Sequence, residues 1–186
     1  MSAPVERLFL AVPIDPAARA ALRDRLTASP LPGRVVPPEN WHLTVRFIGA
    51  VEGKMRPLLE DALGAAVLGP ELVLRFDRLH GMPNAARARV LALGLTPDDG
   101  AAGLAALAAI VDQAVRRAGL APEERPFHAH LTLARLDPPA DVSAGIRRAG
   151  AFGINTSVRE LVLFRSHLGQ GVPRHVPVAS WGLGGA

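Results

Sequence analysis

The residues best suited to chemistry stand in a short pattern that occurs in each half of the 186-residue chain, His42-Leu43-Thr44-Val45 and His130-Leu131-Thr132-Leu133. Apolar and β-branched patterning predicts a strand at each, His42–Ile48 and His128–Leu136. Period-two geometry puts the histidine and threonine of each segment on one face and turns the apolar partners to the core. A pseudo-twofold arrangement of the two halves would then join both faces around one cleft. One imidazole, neutral, could take a proton from water. The other, protonated, could give a proton to a leaving oxygen, and histidine's ordinary pKa permits both roles near neutrality. The threonine hydroxyls could donate to the non-bridging oxygens of a phosphate, where charge sits in the transition state. No metal is required.

The elements that must hold these residues can be read along the chain. Arg7–Ile14 reads as a strand, and Asp15-Pro16 supplies an N-cap and a first-turn proline for a helix over Pro16–Ala28. Ser29–Asn40, with four prolines and a glycine, reads as a loop. A helix is predicted over Arg56–Leu68. Glu71–Leu79 and Arg89–Leu95 read as a hairpin pair. Asp98–Ala118 carries Leu104, Leu107, Ile110, Val111, Ala114 and Val115 at helical spacing, with Gly119 to cap it. Pro122–Pro126 reads as a loop and Asp141–Arg148 as a short helix. Val158–Ser166 and His175–Trp181 read as closing strands joined by a Gly169–Pro173 turn, whose loop could close over a substrate. Hairpin-length links between strands favour α+β with antiparallel pairing over a parallel, doubly wound sheet. No linker divides residues 1–186, which read as one domain.

Composition narrows the classes. Apolar residues make up 49% and charged residues 20%, a globular balance. There is no cysteine, so disulfides, thiolate metal sites and thiol nucleophiles are excluded. The longest apolar run near the N-terminus, Leu8–Ile14, is too short to span a membrane, and no signal sequence precedes it. A cytoplasmic protein without a membrane partner is the expectation. Lys54 is the sole lysine, so nearly all cations are arginine, a side chain that matches phosphate with a planar fork. No Gly-rich phosphate loop follows a strand.

Other side chains join the two motifs as candidates. Arg46 lies four residues after His42 and shares its face under strict alternation. Arg135 lies five after His130, on the opposite face under strict alternation, but at a strand end before Asp137-Pro138-Pro139, where alternation fails; there it could hold phosphate or base. Phe9 and Phe47 could stack a nucleobase, although core packing is the usual fate of a strand phenylalanine, the more so for Phe47; Trp41 reads as a packing residue. His128 shares the face of His130, and with His42 would offer three imidazoles to a zinc ion. Threonines are poor zinc ligands, so the metal-free reading is preferred and His128 is placed on the rim. His80, His167 and His175 fall in turns or at strand ends.

The chain resembles the two-histidine (2H) phosphoesterases, and within them the RNA 2′,3′-cyclic phosphodiesterase branch, also called 2′-5′ RNA ligases. The resemblance rests on Arg7–Ala11, Asn40–Gly49, Arg125–Arg135, Leu163-Phe164-Arg165-Ser166 and Arg174. It implies two pseudo-twofold-related lobes of antiparallel sheet, outer helices and a central cleft. It implies His42 as proton donor to the leaving 3′ oxygen, His130 as proton acceptor from water, Thr44 and Thr132 on the phosphate, and Arg135 as a phosphate or nucleotide contact; Arg46 and Phe9 remain substrate-contact candidates on their own position and type. The implied reaction is hydrolysis of a terminal RNA 2′,3′-cyclic phosphate to a 2′-phosphomonoester by a monomer without cofactor. Weak reverse joining of ends through a 2′-5′ bond would follow from microscopic reversibility. Small cyclic nucleotides, 2′-5′ oligonucleotides and a non-catalytic RNA-end binding module are the alternatives. The chain departs from the family in carrying His175 after Arg174, where members often have tyrosine.

Overall fold

The Arg7–Ile14 run forms β1 (Val5–Pro13), an interior strand with Leu8, Leu10 and Val12 buried. The computed structural model describes residues 5–167, 169 and 173–184. Asp15 caps α1 (Pro16–Ala28) through a 2.8 Å bond accepted from the Ala18 N–H, so the Asp-Pro signal acts as expected. Within the predicted loop, Arg34 and Val35 form a short strand, β2. β3 (His42–Glu52) runs four residues beyond the expected end, and α2 (Met55–Gly64) stops short of Leu68. β4 (Leu72–Met82) and β5 (Ala88–Leu95) make the expected antiparallel pair. In α3 (Asp99–Arg117), Leu104, Leu107, Val111, Ala114 and Val115 are buried at the predicted spacing.

β6 (His130–Ala140) begins two residues later than expected and continues through Asp137-Pro138-Pro139. α4 (Ser143–Ala149) precedes β7 (Ala151–Val158), a strand the sequence reading passed over. Gly153 at φ 63° interrupts its pattern, and the Gly, Asn and Ser content reads locally as a turn. Asp15 holds this strand: its carboxylate accepts from the Ser157 N–H at 2.7 Å and the Thr156 hydroxyl at 3.2 Å. β8 (Glu160–His167) and β9 (Arg174–Gly182) close the chain. Of the predicted Gly169–Pro173 turn and the Ser166–Arg174 loop expected to close over a substrate, residues 168 and 170–172 lie outside the described residues.

The strands build one antiparallel, curled sheet in the order β7-β4-β5-β6-β3-β1-β8-β9, with β2 on β6. The expected α+β fold with two related lobes is what the structure has. Each half of the sheet holds four strands of that order, and the halves meet where β3 pairs β6 through Leu43 and Leu131. The central residues of the two His-x-Thr motifs are therefore cross-strand partners. Both leucines are fully buried on the core face with Val45 and Leu133. No helix among the described residues is long and apolar enough to cross a membrane.

Candidate active site

The seam sets the site. Carried one residue either way from Leu43 and Leu131, the antiparallel register places His42 across from Thr132 and Thr44 across from His130. All four line one cleft of about 560 Å³. Each imidazole is aimed by its own chain. His42 Nδ1 lies 2.8 Å from the Asn40 carbonyl oxygen, and His130 Nδ1 lies 2.9 Å from that of His128. A carbonyl only accepts, so Nδ1 carries the proton in both rings. Nε2 of each ring is then a bare base when the ring is neutral and a donor when it is charged. His128 contributes its backbone carbonyl and does not line the cleft. Among the described residues no group of three histidines and carboxylates stands close enough to hold a metal.

Both strands then break their alternation at the same point. In β3 the register with β1 shifts so that Leu10 faces Arg46 and Ala11 faces Thr44, leaving Val45 as an extra residue. In β6 the register with β5 shifts so that Leu91 faces Ala134 and Ala92 faces Thr132, leaving Leu133 extra. A one-residue bulge reverses the parity of everything beyond it. Phe47 and Arg135 are thereby turned onto the cleft face, and both line it. Gly33 permits the backbone of β2 to lie against Arg135: a Cβ there would come within 2.5 Å of the Arg135 carbonyl oxygen.

The same bulge corrects the expectation for Arg46. It turns inward, is 8% exposed and stands among the core residues. Its guanidinium bonds Asp112 of α3 and Glu123, each at 3.1 Å, and the carbonyls of Ala121 and Phe47. Four of its five N–H groups are so bonded, and the side chain does not line the cleft. Phe9 also departs from expectation. It borders the cleft but is 4% exposed, with Phe164 stacked 5.2 Å away and the His42 ring 4.9 Å away. It leaves no open face for a base and instead backs His42. Phe47, read from sequence as core, is 56% exposed and is the aromatic face that the cleft offers. Trp41 packs as expected, its indole N–H donating to the Val36 carbonyl. A signal for the inward turn was present: the second motif has Ala134 where the first has Arg46.

The electrostatics are one-sided. Arg7, Arg34 and Arg135 line the cleft, none ion-paired among the described residues, and no carboxylate lines it. Burial holds the His42 pKa down at about 4 despite its bond to the Asn40 carbonyl, and His175 and His130 depress it further. The empty cleft therefore keeps His42 neutral at pH 7. An anion is the missing counterpart of such a site.

Comparison with known proteins agrees with this geometry. The family described as LigT like Phosphoesterase matches the chain twice, over residues 12–92 and 93–173, one match on each motif. The RNA 2′,3′-cyclic phosphodiesterase of Escherichia coli (strain K12) is 31% identical over 189 residues, covering 98% of this chain and 99% of that protein. The protein of the same name from Aeropyrum pernix is 32% identical over 136 residues, 69% of this chain and 71% of its own. Among solved structures, E. coli LigT complexed with 3′-AMP superposes with a TM-score of 0.76 at 27% identity, over 97% of this chain and 99% of that one.

Proposed function

The chain belongs to the LigT-like phosphoesterases, and we propose from that membership that its cleft performs the opening of a 2′,3′-cyclic phosphate at an RNA end. The activity is that of an RNA 2′,3′-cyclic phosphodiesterase. The observation that carries the reading of the site is the Leu43–Leu131 pairing, which brings two aimed imidazoles and two hydroxyls to one carboxylate-free cleft.

The roles are taken from the family resemblance, and the geometry supports them with an available Nε2 on each imidazole. His130 Nε2 takes a proton from water, and the water oxygen bonds to phosphorus as the 3′ oxygen departs in line. His42 Nε2 gives that oxygen its proton, leaving a 2′-phosphomonoester. Thr44 and Thr132 donate to the non-bridging oxygens, and Arg135 supplies a fixed positive charge beside them. Because His42 is neutral in the empty cleft, its proton is taken up with the anionic substrate, whose charge offsets the burial that opposes ionisation. The strained five-membered ring needs positioning and proton transfer more than a strong electrophile. With a 5′-hydroxyl in place of water as the nucleophile, the same ring-opening step would join ends weakly through a 2′-5′ bond. Phe47 and Arg135 offer a stacking face and a planar cation to the terminal nucleoside.

The test is end-product analysis on an oligoribonucleotide bearing a 2′,3′-cyclic phosphate, with EDTA present, for wild type, His42→Ala and His130→Ala. Conversion to the 2′-phosphate by wild type alone is the expected result. Conversion that needs added zinc, or a 3′-phosphate product, would overturn the mechanism. Parallel reactions on cyclic mononucleotides and 2′-5′ oligomers separate the alternative substrates.

A further inference from the structure

A third histidine stands in the cleft outside both motifs. His175, on β9, lines it beside the catalytic pair, 5.5 Å from the His42 ring centroid and perpendicular to it. Its edge also meets the Phe9 ring at 4.9 Å, so one aromatic ring touches both imidazoles. Its Nδ1 is closed off from solvent and has no hydrogen-bond partner. The ring lines the cleft, and no protein group bonds its Nε2 among the described residues. A proton on Nδ1 would be a buried donor with nothing to receive it. The neutral ring is therefore best satisfied with its proton on Nε2, facing the cleft.

We propose that His175 is a catalytic residue of the same reaction, an uncharged donor whose Nε2–H bonds the phosphate held between His42 and His130. The inference rests on the phosphodiesterase reading and deepens it. A neutral donor adds a hydrogen bond without adding to the repulsion among neighbouring cations. Burial first, and the Arg135 charge second, lower the pKa of this ring and so favour its uncharged form. Protonating it would place a cation beside His42 and oppose the proton that His42 must take up, since His175 already depresses the His42 pKa.

His42 faces His175 from β3, and His130 and Arg135 belong to β6. β1 brings Arg7 and Glu6, the latter held by Arg165 of β8 and Arg56 of α2. Ser166 is its cross-strand partner, with His167 and Arg174 as the next pair. Glu6 is thus already paired, and no carboxylate among the described residues lines the cleft beside His175.

The experiment compares wild type, His175→Phe and His175→Gln on the cyclic-phosphate-ended oligoribonucleotide across pH 4–8. Phenylalanine keeps the ring packed on Phe9 and His42 but removes both nitrogens; glutamine restores a neutral donor that cannot ionise. His175→Phe is expected to raise KM about tenfold, glutamine to recover most of that, and both to move the acid limb of kcat/KM to higher pH. A KM and an acid limb unchanged in His175→Phe would overturn the proposal. Nitrogen-15 NMR of wild type titrated with a nucleoside 2′-monophosphate gives a readout without turnover. A shift of His175 Nε2 supports the contact even if the RNA end proves not to be the substrate, and no shift in a saturated cleft overturns it.

Discussion

Phe47 and Arg135 occupy equivalent positions in the two halves of the sheet, each five residues beyond a motif histidine and each turned into the cleft by a one-residue bulge. The pseudo-symmetry that duplicates the histidines and threonines thus places an aromatic face on one wall and a guanidinium on the other. A base stacked on Phe47 with Arg135 beside it would be gripped by two planar groups. Single substitutions Phe47→Ala and Arg135→Ala are each expected to raise KM for a cyclic-phosphate-ended RNA about tenfold. The double variant is expected to fall short of the product of the two effects, because both groups hold one nucleoside. Steady-state kinetics on the four proteins decides this; independent, multiplying effects would place the two side chains on different parts of the substrate.

The fold and the heart of the site were legible because their signals are local. Asp15-Pro16 announces α1, the apolar spacing of Leu104 to Val115 announces α3, and the repeated His-x-Thr needs only period two. What lay outside the sequence reading depends on register. The extra residues Val45 and Leu133 look like ordinary strand members, so strict alternation puts Arg46 in the cleft and leaves Phe47 out, and Arg135 is reached only through the expectation that alternation fails before Asp137-Pro138-Pro139. Phe9 sits on the cleft side of β1, but Phe164 and His42 come from strands adjacent only in the folded sheet. β7 escaped because its hold on β4 and Asp15 is non-local, while its own glycine and asparagine favour a turn.

Arg46 gives the bulge an energetic consequence. Its buried guanidinium ties β3 to α3 through Asp112 and to the segment leading into β6 through Glu123 and Ala121. Replacing it with Met keeps the apolar stem but strips the two carboxylates of a buried partner, leaving Asp112 to Arg116 and the Glu123 N–H. Breaking a buried pair in this way costs about 3 kcal/mol, which lowers Tm by roughly 6–12 °C in a chain of this size. KM is expected to stay near wild type at temperatures where the variant is folded. A thermal scan with kinetics at 20 °C separates this from a substrate role, which would raise KM and spare Tm.

His42 makes stability depend on pH with a definite sign. Folding holds its pKa at about 4, below the ordinary 6.5, so the unfolded chain binds its proton more readily. Its contribution is whole above about pH 6.5, is lost as pH falls through that range towards 4, and is constant below. The full span is worth roughly 3 kcal/mol, and His175, shifted in the same direction, adds to the trend. Tm should therefore rise between pH 4.5 and 6.5 in wild type, and rise less steeply in His42→Phe. Parallel slopes in the two proteins would mean that His42 is not held neutral by the fold.

Assigning donor and acceptor requires more than the pH profile. If His42 must be protonated and His130 neutral, kcat/KM is bell-shaped, but the reversed assignment produces a bell bounded by the same two ionisations. The leaving atom distinguishes them. A thiolate departs without protonation far more readily than an alkoxide, so an RNA end whose cyclic phosphate carries sulfur at the 3′ bridging position bypasses the donor. Water still has to be activated, so the acceptor remains essential. His42→Ala is expected to lose activity on the oxygen substrate by 10²–10⁴-fold, the usual scale of a general acid, and to recover most of it on the sulfur substrate. His130→Ala is expected to remain inactive on both. Rescue of His130→Ala instead would exchange the two roles. The empty cleft holds His42 neutral, so donor activity also requires proton uptake on binding. Calorimetric titration of wild type with a nucleoside 2′-monophosphate, in buffers of different ionisation enthalpy, should show uptake near pH 7, reduced in His42→Ala.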